Sequence, residues 1–439
     1  MIKLYLKQAW QMMKQNKLFS GIYVVGTAIA IATTMIMAIV YYVKIAPVYP
    51  EVNRDRTLYA TSFRVKHKEQ SGANQWAYSY KAVKEWFYTL KNAEAVTAVF
   101  DDSWGTVTDY VQPFDGSGDF PVKVILTDTG FFRVYEFRFI EGKPFTEADL
   151  ESGICSVVIS DVLARRLFGQ VEGLVGKTFQ MNDTEFRISG VVKGASPLTT
   201  QSYAEVYAPY STCNGYDVAR ADPEQYGAFR VAMTVRDAEA KEALQQEFQE
   251  IVRKYNATET NDWTIENGHQ PYTHLTGVFH ESPVRDFSWT DVVRRYLTIL
   301  LVLLLVPALN LSGMIAGRME MRLAEMGIRK SFGACRSGLL AQVMWENLLL
   351  TLMGGALGLL LAWTALVAFR DWVFALFENQ PDVLIEGTAV HVSGEMLLAP
   401  SVFAAALLLC VSLNLLSALL PAVHSLRRPI IQSLNEKRD

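Results

Sequence analysis

Residues 18–43, LFSGIYVVGTAIAIATTMIMAIVYYV, carry no charged side chain. A helix of that length exceeds the roughly 20 apolar residues needed to cross a hydrocarbon core about 30 Å thick. It is also longer than the apolar core of a removable signal peptide, so it reads as a retained anchor. Three further runs qualify, at about 296–317, 339–369 and 396–420, with Glu346 near the start of the 339–369 run. One such run is compatible with a buried helix in a soluble protein, but four in one chain are not. Lipid offers the backbone no hydrogen bonds, so each run must be helical. The expected fold class is therefore an α-helical membrane protein with four transmembrane helices and a large α+β extracytoplasmic domain inserted between the first and the second.

The flanking charges orient the spans. Residues 1–17 carry Lys3, Lys7, Lys14 and Lys17 and no acid, and the loop 318–338 carries Arg318, Arg322, Arg329, Lys330 and Arg336 against Glu320 and Glu325. Arg427, Arg428, Lys437 and Arg438 follow the last span, whereas residues 371–396 carry five acids and no Lys or Arg. Positive charge stays on the cytoplasmic side. Both termini and the 318–338 loop are thus expected inside, and residues 44–291 and 371–396 outside. Arg294 and Arg295 run against the rule, but their stems can snorkel to the interface. Leu6, Trp10 and Met13 recur at helical spacing, so 1–17 reads as an amphipathic helix on the inner membrane surface.

The outer segment alternates strand-like and helix-like stretches. Strands are expected over 57–65, 96–111, 122–127, 156–160, 178–181, 185–192 and 228–235, and helices over 79–90, 161–168 and 237–255. In the last helix Leu244, Phe248, Ile251, Val252 and Tyr255 form one apolar stripe. Residues 113–200 are a candidate subdomain insertion.

Several chemistries are excluded. The small net charge of −4 gives nucleic acid no basic footprint. Gly176-Lys177-Thr178 ends like a phosphate loop, but the position five residues before Gly176 is Val171, not glycine. His269, His274 and His280 lack metal-ligand spacing, and there is neither a GxSxG nor an HExxH. Asp101 and Asp102 have nothing that aims them at a substrate. The four cysteines, Cys155, Cys213, Cys335 and Cys410, form no CxxC, and a Cys155–Cys213 pair is left open. No catalytic, cofactor or metal site is expected.

The most informative stretch is 307–350, PALNLSGMIAGRMEMRLAEMGIRKSFGACRSGLLAQVMWENLLL. It is a span, a short basic connector and a second span. Met319, Leu323, Met326 and Ile328 offer the connector an apolar side, and Gly333-Ala334 breaks its helix. Such a connector can present a helix to a partner's groove. Asn310, Arg322, Glu325, Gly327, Ile328, Arg329, Lys330, Gly333, Ala334 and Glu346 match a pattern of span asparagine, R…E-x-G-[IV]-R-K-x-x-G-A and a glutamate-bearing entry to the next span. In this the chain resembles the FtsX/MacB family of ABC-transporter permeases. Gly130-Phe131-Phe132 through Glu141-Gly142-Lys143-Pro144-Phe145, the run VVISDVLARRLF over 157–168, Gly176-Lys177-Thr178, 188–192 and Leu420-Pro421-Ala422 resemble further segments of that family. Ser331-Phe332 stands where Ala-Leu is commoner.

The resemblance implies a MacB-like periplasmic domain over 44–291 and an FtsX-like permease region over 292–439, ending in a basic cytoplasmic tail at 421–439. It implies a multi-pass protein of the bacterial inner membrane that dimerises with a like or unlike permease chain. A separate cytoplasmic ABC ATPase would bind the ATP, since only 17 residues precede the first span. Arg322, Glu325, Gly327, Arg329, Lys330 and Gly333 would form the ATPase-coupling loop. Asn310, Gly354, Gly358 and Asn414 would be packing or polar residues of the spans, and Gly354 and Gly358 a small-residue pair for a second chain or for another span of the same chain. Movement of the outer domain would drive efflux of periplasmic antibiotics, peptides or lipid-linked molecules, with a membrane-fusion protein and an outer-membrane channel as further partners. Lipoprotein release and regulation of a cell-wall hydrolase are the alternatives; the substrate is not legible.

Overall fold

A computed structural model describes residues 17–67, 73–101, 109–113, 118–220, 224–258, 263–280, 287–321, 323–369 and 400–427. The helix expected over 1–17, up to residue 16, lies outside them, as do Arg322, the 371–396 loop and the tail beyond 427. The described residues form two compact units. One comprises 43–288; the other comprises 17–42, 289–369 and 400–427.

The 43–288 unit is built on a sheet of sixteen strands with helices against it. Its first core gathers around antiparallel strands 57–60, 229–234 and 95–100, where Leu58 faces Met233 and Met233 faces Val96. Helix Ala238–Thr258 lays its stripe against them: Leu244, Phe248 and Val252 are buried and Ile251 and Tyr255 pack beside them. Phe87 and Phe248 stack at 4.9 Å. A second core draws on residues from Val111 to Ala208. It is closed by strand 156–160, parallel to 184–192, and by helix Asp161–Phe168. That helix starts at a Ser160 cap and ends at left-handed Gly169. Asn182 and Asp183 both take positive φ, 48° and 61°, as a two-residue hairpin between strands 178–181 and 184–192 requires.

Three expectations for this unit change. The strand read over 57–65 is two, 57–60 and 63–67. The strand read over 96–111 is 95–100 and 109–112, which lie in different parts of the sheet. The helix read over 79–90 is a turn of α-helix, Tyr80–Ala82, running into a π-helical turn, Val83–Phe87, which seats Trp86 and Phe87 in the first core. Tertiary packing of those aromatics outweighs the regular helical period. Cys155 and Cys213 are free thiols.

A buried polar cluster in this unit holds the backbone of residues 43–46. Arg54 Nη1 donates to the carbonyls of Val43 at 2.7 Å and Ala46 at 2.8 Å, and its Nε pairs with Glu51 at 2.8 Å. Glu51 also accepts from Ser202 Oγ at 2.8 Å and from the Gln201 backbone. Both side chains are 2% exposed or less, so each charge depends on these partners. His274 Nε2 donates to the Lys44 carbonyl at 2.8 Å. Burial, then the Arg54 charge, pushes that imidazole below its usual range, so the ring donates as the neutral tautomer.

In the second unit the long helices are α1 (Lys17–Ile45, its last residues belonging to the first unit), α2 (Trp289–Met321), α3 (Leu323–Ser331), α4 (Arg336–Ala368) and α5 (Pro400–Arg427). Three have membrane-crossing length and apolarity: Ser20–Ile45, Arg336–Ala368 and Pro400–His424. The 296–317 run expected as a span lies inside α2.

Candidate functional site

Helix α3 and the turn after it form the connector between α2 and α4. Met326 and Gly327 are buried, and Met326 joins a core with Tyr23, Ile315, Met319, Leu339, Val343 and Leu350. The apolar side read from the sequence is thus partly right. Met319 and Met326 face in, but Ile328 is 49% exposed. The side chains of Leu323 and Glu325 lie outside the described residues, as does that of Asn310.

The helix stops for a local reason. Gly333 takes φ +89°, its N–H donates to the Lys330 carbonyl, and the Ala334 N–H donates to the Arg329 carbonyl. This pair of bonds is a Schellman turn, and a left-handed residue at its centre favours glycine. The turn throws Phe332 outward at 88% exposure, next to Ile328. A large aromatic left so bare, in a stretch that also carries Lys330 and Arg336, has the composition of an interface anchor. Sequence reasoning recorded Phe332 only as a departure from the common pattern; nothing in an apolar letter says that it points to water.

Arg329 turns the other way: its Nη1 donates to Gln342 Oε1 on α4 at 2.8 Å. Partial burial, then the Arg336 charge, holds the Lys330 ammonium below its usual range. Hydrogen bonds from Ser337 and the Gly338 backbone hold the exposed Cys335 thiol below its usual range.

Gly354 and Gly358 pack inside the chain. A Cβ at Gly354 would lie 2.8 Å from the Thr27 Cβ and 3.1 Å from the Val24 carbonyl, and one at Gly358 2.7 Å from the Ala28 carbonyl. Helix α1 therefore occupies the face that the sequence reading offered to a second chain. Asn414 is half-buried on α5. Among the described residues no cluster of His, Cys, Asp or Glu has the arrangement of a metal site.

The motif residues of the outer unit are structural. Phe131, Phe145 and Tyr207 share one core, and a side chain at Gly130 would meet the Val96 carbonyl.

Comparison with known proteins places these two units. The model of the MacB-like periplasmic core domain matches residues 20–251, and that of the FtsX-like permease C-terminal region matches 297–430. The macrolide export ATP-binding/permease protein MacB 1 of Yersinia pestis bv. Antiqua is 23% identical over 360 residues, 81% of this chain and 52% of that protein. The pyoverdine export ATP-binding/permease protein PvdT of Pseudomonas syringae pv. syringae is 25% identical over 237 residues, 54% of this chain and 34% of that one. The chain thus spans about half, or less, of the length of these relatives. Among solved structures, the periplasmic region of MacB from Actinobacillus actinomycetemcomitans aligns over 48% of this chain and 88% of its own, at 17% identity and a TM-score of 0.32. With both of its parts matched in this order, the chain belongs to the FtsX/MacB-like family of ABC-transporter permeases.

Proposed function

We propose that the chain is the permease subunit of an ABC exporter, non-catalytic itself, whose α3 connector seats on a separate cytoplasmic ATPase. Four spans, with α2 supplying the second, and both termini inside put that connector in the cytoplasm of a bacterial cell and the 43–288 unit outside its inner membrane. ATP-driven closure of a permease dimer moves the outer unit and extrudes periplasmic substrate. The export proteins among the relatives support this direction of transport.

The observation that carries the reading is the connector's division of labour. Met326 anchors it in its own bundle, while Ile328 and Phe332 are left bare. An aromatic anchor of this kind contributes heavily to a partner interface. The test is the ATP hydrolysis that co-purifies with the tagged, full-length chain. Phe332→Ala and Glu325→Lys should each lower it by about tenfold, the effect of losing one anchor worth about 1.4 kcal/mol. Chain yield and membrane insertion should hold. Undiminished hydrolysis in both variants would remove the connector from any ATPase interface.

A further inference from the structure

The buried face of α4 changes chemistry along its length. Gln342, Glu346, Asn347 and Thr351, all at least nine-tenths buried, come first, interspersed with Leu339, Val343 and Leu350; Gly354, Gly355, Gly358, Ala362 and Leu366 follow with no polar side chain among them. Polar side chains sealed inside a membrane bundle are costly and mark function. Here they cluster in the turns of α4 nearest the connector.

Their bonds reach two other elements. Gln342 Oε1 accepts from Arg329 of α3 at 2.8 Å, and Thr351 Oγ1 lies 3.1 Å from Tyr23 Oη of α1. Asn347 sits between these contacts. Its Nδ2 donates to the Val343 carbonyl at 3.0 Å, but its Oδ1 has no partner. Thr27 Oγ1, fully buried on α1, has none either. A packed core satisfies its buried polar atoms, and each exception calls for a cause. A contact with two working positions supplies one, since atoms bonded in one position are orphaned in the other.

We infer that Gln342 is a positioning residue that receives the displacement of the connector through Arg329, and that the polar stripe of α4 is a two-position contact with α1. Asn347 and Thr27 are bonded in the position not seen here. The inference rests on the coupling reading above: Phe332 and Ile328 meet the ATPase, and Arg329 and Gln342 carry its movement to α4. Nothing in this arrangement requires Gln342 itself to touch the ATPase.

The experiment uses the full chain with its co-purifying ATPase in lipid nanodiscs. It measures the amount of ATPase retained, the ATP turnover per ATPase and the melting temperature. Gln342→Leu should retain the ATPase at parental level and lower turnover by about tenfold, as loss of one charge-assisted hydrogen bond would. Gln342→Glu keeps the acceptor, offers Arg329 an opposite charge and should restore turnover. Asn347→Leu removes the orphaned atom, so it should raise the melting temperature while slowing turnover. A purely structural stripe would show the first effect without the second. Parental turnover in Gln342→Leu or in Asn347→Leu overturns the inference. So does loss of the ATPase from Gln342→Leu, which would reduce the Arg329–Gln342 bond to a support for the docking surface. Retention of the ATPase by both Glu325→Lys and Phe332→Ala would instead sink the coupling reading, a different outcome.

Discussion

Glu205 is 3% exposed in the outer unit, and neither carboxylate oxygen has a hydrogen-bond partner of good geometry. Burial pushes its carboxyl above the usual range; the adjacent Lys123 backbone and the Arg166 charge offset this only in part. The folded state therefore favours the protonated form. The stability that this proton confers is fully present below the unfolded carboxyl value, about 4.3, and is lost as pH rises through the higher folded value. Glu205→Gln, fixed in the neutral form, should stabilise the second core at neutral pH and make little difference near pH 4. Hydrogen exchange of strands 156–160 and 206–209 in the intact chain measures this, because both strands flank Glu205. Equal protection in variant and parent at neutral pH would mean that the carboxylate has water or a cation beside it. Glu205 gives no warning in the sequence. A glutamate before a short β-rich run usually faces solvent; here strand 206–209 is flanked on one side by 124–127 and on the other by 156–160, pairings that no local window records.

The long helices were legible as elements because their signals are strong and local. Apolar runs gave α1, α4 and α5, and a stripe of period 3.6 gave Ala238–Thr258. What those runs touch was not legible. Gly354 and Gly358 lie one turn apart and serve a neighbouring helix of the same chain as well as they would a second copy; only the positions of Thr27 and Ala28 decide. The consequence can be measured. Leucine at Gly358 must displace the Ala28 carbonyl, so Gly358→Leu should destabilise the chain's own bundle by about 1–3 kcal/mol. Gly313 and Gly317 of α2, also one turn apart, have nothing within 4 Å of a Cβ among the described residues. Gly317→Leu should leave the melting temperature in detergent unchanged and lower the yield of chain-to-chain cross-links in membranes. The reverse pattern would exchange the roles of the two glycine pairs. The strands fared differently. The strand read over 57–65 is interrupted at Thr61-Ser62, where the backbone leaves the ladder, a long-range event that no local window records.

At the scale of the molecule, the family was legible in the motifs, and the two family models match the chain over residues 20–251 and 297–430. The proposed direction of the chain across the membrane rests on the basic flanks alone and invites a direct test. In a background with Cys155 and Cys213 replaced by serine, a cysteine at the exposed position 200 should react with an impermeant maleimide in cells stripped of their outer membrane. The native Cys335, exposed on the connector with its thiol held low, should react only after permeabilisation. Labelling of Cys335 in intact cells would invert the topology and with it the proposed ATPase contact.

The Arg54 cluster bears on the order in which the protein is made. The carbonyls of residues 43–46 leave the ribosome early, but their final partners do not. The Gln201 and Ser202 groups that complete Glu51 lie 150 and 151 residues downstream of it, and His274 lies 230 residues beyond Lys44. Until that chain has emerged and folded, a guanidinium and a carboxylate wait in water, where their pairing is worth little. This joint is therefore complete only once residues 201, 202 and 274 have been made and folded. A chain truncated before residue 201 would leave the Arg54–Glu51 pair without the Gln201, Ser202 and His274 groups, the kind of local opening that proteases read.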